Sequence, residues 1–394
     1  TLSSSSAASD VYKRQHFQGV RRQRGLAVQD SGLWISAQAA AELQVPEVRE
    51  AFIELLHDCG LRLTSLNGFP YGQFHEGAVK AEVYRPTWAE PQRLEYSLQL
   101  AHLLAAALPL DCQQGVISSV PFGYAATWDE AQQQQAETHL RQLTAELASL
   151  HRSSGRKILV CLEMEADCVL ENTDQALAFF KHWQATDPHH GYLALCFDVC
   201  HQAVVFEDCY QSLQRLLDAR VPVGKIQLSN ALICQLPFAD RPRRQQVLQA
   251  LGNFAEATYL HQVKARDMAG QLLAWADLPG ALDAAEPAQG QCPELRIHFH
   301  VPLFSEQFLL AELSGSQQAL LRTFDFLAAH PNFQPVLEVE TYSWNVLPGA
   351  LRPDSEQALL QGIAAELQWV EGQLRQRHLL RTHSSALEAP AHAF

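Results

Sequence analysis

Four apolar runs in this chain each end in groups that bind metals or move protons. They are residues 157–165 (KILVCLEME), 192–201 (YLALCFDVCH), 296–302 (RIHFHVP) and 335–344 (PVLEVETYSW). Short continuous apolar runs are how buried parallel strands read in sequence. A carboxylate or imidazole at the end of such a strand is costly to bury unless it is paired or bound to a metal. In a β/α barrel the C-terminal strand ends converge on one face, where active sites are built. The four endings therefore predict a metal-dependent enzyme.

The sharpest local signal is Asp198-Val-Cys-His201, a carboxylate and an imidazole leaving one strand end three residues apart. They are close enough to share a metal or a substrate. The competing role is a helix N-cap, with Asp198 or His201 satisfying backbone donors of the next turn. Glu163 and Glu165 alternate along one strand, as do Glu338 and Glu340, so each pair faces one way. Facing the pore, an unpartnered carboxylate would be strongly disfavoured. The alternative is that both pairs point outward to solvent or rest on helix N-termini. Because two strands share the pattern, at least one Glu of each pair is expected in the site. His298 and His300 form a His-x-His strand spacing that metals use, although such a pair more often serves a core or touches substrate. Asn67, His75 and His261 are weaker candidates, each on a loop or hairpin within reach of the same pocket.

The intervening sequence supplies the elements that position these groups. Strands are expected at 32–36, 61–66, 115–120, 157–163, 192–198, 225–229, 296–301 and 335–341. Helical periodicity falls at 47–59, 90–108, 127–153, 174–185, 208–219, 316–329 and 354–376. Strands alternating with helices of this length argue for βα units and a parallel sheet. The rhythm breaks between 230 and 295. There 259–266 and 271–275 flank Asp267-Met-Ala-Gly270 and read as an inserted β-hairpin. No internal repeat or domain-separating linker is visible, so residues 16–380 read as one α/β unit, a TIM-type (β/α)8 barrel. Residues 381–394 lack apolar periodicity and read as a loose tail. Residues 1–15 look like the in-frame translation of a sequencing adapter and are set aside from fold reasoning; the natural protein is expected to extend further upstream.

Composition narrows the function classes. The chain of 394 residues is 47% apolar and 18% charged, an ordinary globular balance with enough length for a large core. A net charge of −14, with basic residues scattered, speaks against a nucleic-acid footprint. No apolar run approaches the roughly 20 residues that span a bilayer. The cysteines number nine, an odd count without a CxxC pair, several inside apolar runs. That usage fits buried free thiols in a reducing compartment, here the cytoplasm. Cys196 and Cys200 flank Asp198, which leaves a thiolate ligand as an outside possibility.

The order Glu, then Asp-x-x-His, then a polar group on the next strand, then a late Glu resembles the xylose-isomerase-like isomerase and epimerase barrels. More closely, residues 66–75 (LNGFPYGQFH), 197–203 (FDVCHQA), 259–263 (YLHQV), 298–303 (HFHVPL) and 337–344 (LEVETYSW) resemble the EboE family, a metabolite-traffic protein of bacterial ebo gene clusters. The likeness spans roughly residues 30–375. It implies one or two divalent metals held from successive strand ends, with Glu163 and Asp198 as the first two ligands and Glu338 or Glu340 as the last. His201 matches the imidazole that contacts substrate. At the third ligand the chain offers Gln227 where a His is usual, so either Gln227 ligates through oxygen or His298 or His300 takes the place. EboE-like barrels also have a first strand that would lie upstream of this chain.

The resemblance implies a mechanism in which an ion held by Glu163, Asp198 and Glu340 polarises a polyol substrate. Glu163 and Glu340 would then move a proton while His201 orients an oxygen. Carboxylate-rich coordination suits Mn²⁺ or Mg²⁺, and more imidazole favours Zn²⁺. The expected partner is a small sugar-like metabolite, together with other proteins of an ebo-type cluster. Two rivals stand beside this reading. One is a carrier that binds and has lost catalysis, which Gln227 supports. The other is a metal-dependent barrel hydrolase, against which the acidic charge counts.

Overall fold

The computed structural model describes residues 18–72, 80–237, 239–285, 293–349 and 351–380. His75, Cys292, the adapter-like residues 1–15 and the tail 381–394 lie outside the described residues.

The apolar runs form strands where their composition places them. β1 (Gln29–Trp34), β2 (Leu61–Asn67), β3 (Gln114–Ser119), β4 (Lys157–Glu163), β5 (Leu193–Asp198) and β6 (Val223–Leu228) pair in parallel, each with the next. Helices join them, several with strong signals at their ends. Glu130–Ser154 opens with a capping box between Asp129 and Gln132 and ends at Gly155, whose φ of 69° suits a residue without Cβ. Thr173–Thr186 opens with the same device between Asn172 and Gln175.

After β6 the chain leaves the parallel sheet and builds a second, antiparallel one. It contains β7 (Ala231–Gln235), β8 (Val263–Arg266), β9 (Leu272–Trp275), β10 (Glu294–His300), β11 (Gln307–Phe308) and β12 (Leu310–Gly315). Their order is β11-β12-β7-β10-β8-β9. The expected hairpin is β8–β9, registered from Val263 opposite Trp275 to Arg266 opposite Leu272, and Gly270 turns it at a φ of 82°. β13 (Val336–Val339) then returns to the parallel sheet and pairs directly with β6. Glu338 of β13 reaches Ser65 of β2 and packs on Gly32 of β1, so the sheet curls into a nearly closed barrel.

This is the expected TIM-type α/β architecture, with seven parallel strands among the described residues. The run expected as a barrel strand at 296–301 is β10, the inner strand of the antiparallel sheet between β7 and β8. Two of the apolar clusters that follow are large. The larger lies under the barrel helices and includes Leu100, Leu140, Phe180, Phe197 and Phe324; the smaller lies on the antiparallel sheet and includes Val247, Phe254, Ile297 and Phe299.

Candidate metal centre

The C-terminal ends of β4, β5 and β13 meet the end of β10 around one cavity of about 170 Å³. Its polar floor presents Asn67, Glu163, Glu165, His201, His298, His300 and Glu340. Carboxylate oxygens of Glu163, Asp198 and Glu340 lie within 4.8 Å of one another. Ligand atoms of Asp198, His201 and His300 form a second such group, and those of Glu165, His201 and His298 a third.

Asp198 takes both of the roles that the sequence left open. It caps the short helix Val199–Val204, its Oδ1 accepting from the His201 amide (2.9 Å) and from Ser229 Oγ (2.7 Å). Its Oδ2 is buried without a hydrogen-bond partner among the described residues. One oxygen closes the helix and the other is left to the site.

The three imidazoles share a pattern. His201 Nδ1 lies 2.8 Å from Met164 O, His298 Nδ1 lies 2.7 Å from Gln262 Oε1, and His300 Nδ1 lies 2.9 Å from Glu340 O. Each acceptor is an oxygen, which assigns the ring hydrogen to Nδ1 and leaves Nε2 as a lone pair. Gln262 is fixed in that orientation because its Nε2 donates to Tyr84 OH, Glu165 Oε1 and Ala166 O. The His300 Nε2 is buried without a partner among the described residues. His201 Nε2 and His298 Nε2 face each other at 3.0 Å. Two lone pairs repel at that distance, so a proton or another cation must lie between them.

The electrostatics run the same way. Burial, and then the charges of Glu340, Asp198 and Glu165, push Glu163 well above the usual carboxylate range, with Lys225 opposing. Burial and then Asp198 push Glu340 up to about 8, again with Lys225 opposing. Burial raises Glu165, which accepts from Tyr84 OH at 2.6 Å. Burial and the neighbouring imidazoles hold His298 well below its ordinary value, and burial takes His300 down to about 4. Crowded carboxylates that resist ionising, beside the His298 and His300 imidazoles that resist protonation, lack a positive charge. The orphaned Asp198 Oδ2 and His300 Nε2 show that a divalent cation fits the donor set.

The remaining expected residues sit around this centre or apart from it. Asn67 Nδ2 donates to Glu340 Oε1 (3.2 Å). Glu338 lies deeper in the barrel, paired with Lys225 (2.8 Å) and Ser65, and does not line the cavity. Gln227 Oε1 accepts from Cys196 Sγ (3.0 Å), and Gln227 is not on the lining either. His261 is buried behind the wall, with Nδ1 on His298 O and Nε2 on Glu256 Oε1, both 2.9 Å. The cysteines near the site are free thiols, and burial pushes Cys196 and Cys200 well above their ordinary values. Sequence reasoning missed Lys225, Ser229, Tyr84 and Gln262. A lysine inside an apolar strand was a visible signal; the other three are ordinary polar residues until the fold brings them here.

No protein-family profile matches the chain, and no curated protein sequence matches it. Solved structures do resemble it. A xylose isomerase domain protein from Planctomyces limnophilus superposes with a TM-score of 0.50 at 11% identity, over 92% of this chain and 93% of that one. The IOLI protein, solved with a zinc atom bound, gives 0.44 at 10% identity over 91% and 90%. The 3-keto-D-glucoside 4-epimerase YcjR from E. coli gives 0.40 at 12% identity over 89% and 91%. The first likeness shows the fold of this chain, an α/β barrel. Among the described residues no helix is long and apolar enough to cross a membrane.

Proposed function

We propose that this protein is a divalent-metal-dependent isomerase or epimerase acting on a polyhydroxy carbonyl compound with a sugar-like head. The observation that carries the reading is the convergence of Glu163, Asp198 and Glu340 within 4.8 Å, beside the orphaned His300 Nε2. Those four residues would hold the ion, with His300 supplying the imidazole that Gln227 does not. Three carboxylates suit Mn²⁺ or Mg²⁺, and the imidazole also admits Zn²⁺. When bound, the ion supplies Lewis-acid polarisation of a substrate carbonyl.

The chain's own residues would then move the proton. Glu163 and Glu340 face the cavity with raised proton affinity, which suits one to take a proton from carbon and the other to return one. Asn67 fixes the Glu340 carboxylate by donating to its Oε1. His201, anchored on Met164 O, and His298, anchored on Gln262, line the cavity beside the carboxylates, where the two imidazoles would orient a substrate oxygen. The resemblance to EboE extends the proposal to the synthesis or export of a secondary metabolite alongside other ebo-cluster proteins. The free thiols support a reducing, cytoplasmic setting. A carrier without turnover is the second reading, favoured by Gln227, whose side-chain oxygen is already taken by Cys196.

Two measurements test this. The first is metal content by mass spectrometry, before and after incubation with Mn²⁺, Mg²⁺ or Zn²⁺, for the parent, Asp198→Ala and Glu163→Ala. The second is solvent-deuterium incorporation into candidate ketoses and aldoses, followed by NMR. Near-stoichiometric metal lost in both folded variants, with deuterium at the carbon beside the carbonyl, is the expected result. A folded parent that takes up none of the three ions would overturn the metal site. Metal without exchange would leave the carrier.

A further inference from the structure

The cavity is divided by chemistry. The carboxylate and imidazole cluster already described is its polar floor, and aromatic and aliphatic side chains contribute the rest of the wall. Trp34, Phe69, Val83, Tyr84, Leu260 and Tyr342 form much of that wall. The polar atoms of the wall that would be expected to greet a sugar are committed to the protein. Trp34 Nε1 donates to Pro70 O at 2.7 Å. Tyr84 OH donates to Glu165 and accepts from Gln262, each at 2.6 Å. What these two side chains offer a ligand is ring surface. The rings are also braced, Phe69 edge-on to Tyr84 with centroids 5.9 Å apart, and Tyr342 edge-on to Tyr259 at 4.9 Å.

Charge restricts the ligand further. Lys80 is the one lysine or arginine on the lining among the described residues. Its Nζ pairs with Asp277 Oδ2 at 2.8 Å and donates to the carbonyls of Tyr259 (2.8 Å) and Glu256 (3.3 Å). Among the described residues no lysine or arginine of the lining is left to pair with a phosphate, whereas Glu163, Glu165 and Glu340 would repel one.

We propose that the site takes an amphipathic, phosphate-free substrate, with a diol or hydroxycarbonyl head on the polar floor and an aryl or alkyl body along the hydrocarbon wall. This rests on the reading above for the role of the floor, but it concerns the wall. Free sugars and sugar phosphates would leave that wall wet, and its burial is the contribution an apolar body adds. Burying two methylene equivalents is enough for about ten-fold in affinity.

The test uses two matched pairs, phenyl β-D-glucopyranoside against glucose and 1-phenyl-1,2-ethanediol against ethylene glycol, with glucose 6-phosphate as the charged comparison. Binding to the full chain is read by ligand-observed NMR and calorimetry, with and without added Mn²⁺. The aryl member of at least one pair should bind ten-fold or more tightly than its partner, and glucose 6-phosphate should bind no better than glucose. Leu260→Asn and Val83→Thr, which make the wall polar at similar volume, should cut the aryl preference several-fold and leave the affinity for the small partner unchanged. A preference near one in both pairs, tightest binding of the phosphate, or no aryl binding at about 10 mM would overturn the proposal. An aryl preference that persists in a protein without metal or exchange would sink the isomerase reading alone. Exchange on free sugars with no aryl preference would sink this one alone.

Discussion

Removal of Lys225 should be strongly destabilising although it lies outside the cavity lining. Its side chain is 0% exposed and its Nζ lies 2.8 Å from Glu338 Oε1, itself 19% exposed, and 3.3 Å from Ser118 Oγ. Ser65 Oγ donates to the other Glu338 oxygen. Burial alone would lower the lysine, but Glu338 first, with Cys196 and Glu340 beside it, more than offsets that and the ammonium is held charged. At this separation the gross attraction is about 6 kcal/mol for an effective dielectric of ~20, against desolvation of both ions. Lys225→Met leaves Glu338 unpaired inside the barrel, which should cost about 3–5 kcal/mol. Lys225→Met combined with Glu338→Gln removes both charges and should recover most of that loss. Urea unfolding followed by far-UV circular dichroism and tryptophan fluorescence reads the difference, provided the two probes coincide. A single-variant loss under about 1 kcal/mol, or a double variant no better than the single, would refute the reasoning. Metal content sharpens the point. Glu338→Gln should keep the ion, because Glu338 is spent on Lys225 and Ser65; loss of metal there would make Glu338 a ligand after all.

Glu340 makes the metal-free protein pH-sensitive. Its carboxyl titrates near 4.5 when unfolded and near 8 when folded, so the folded state holds an extra proton between those values. Its contribution is fully present below about 4.5 and is lost as pH rises through about 8, at about 1.4 kcal/mol per unit. Melting temperatures of the metal-free parent and Glu340→Gln should therefore diverge in favour of the variant as pH rises from 5 to 9, and parallel curves would contradict this. Gly32→Ala should destabilise by about 1–3 kcal/mol in chemical unfolding, since a Cβ there meets the Glu338 carboxylate and Ser65 Oγ; an unchanged midpoint would show that Glu338 moves aside freely.

Much of the barrel was legible because its signals are local. The run 157–163 is β4 as read, and Asp198 announced both a strand end and a helix cap. The antiparallel sheet was mostly hidden. β10 lies between β7 and β8, so it carries the same apolar composition as a buried parallel strand, and sequence period does not distinguish the two. β7 was missed for a related reason: only Ser229 and Asn230 separate it from β6, and the apolar run after them reads as a continuation. Within the site, alternation placed Glu338 and Glu340 on one side of β13, as found. It does not carry depth, which is what gives one carboxylate to Lys225 and the other to the cavity.

The displaced strand also explains how the centre is assembled. The barrel supplies the carboxylates Glu163, Asp198 and Glu340, while β10 supplies His298 and His300 from a sheet with its own core. The two parts meet at the site through polar contacts that include Gln262 Nε2 donating to Tyr84 OH, Glu165 Oε1 and Ala166 O. His300 Nδ1 donates to Glu340 O, Ser343 Oγ donates to His300 O, and the His201–His298 pair spans the junction. A cation bound by Asp198, Glu340 and His300 would add a further link between the two parts, and its binding free energy would add to the stability of the docked arrangement. The same geometry accounts for Gln227. With an imidazole arriving from β10, strand β6 need not supply one, and its side chain stays under Cys196. On the proposed ligand set, His300 of the inserted sheet would supply the imidazole that β6 does not, so Gln227 does not by itself argue for a site that has lost its metal.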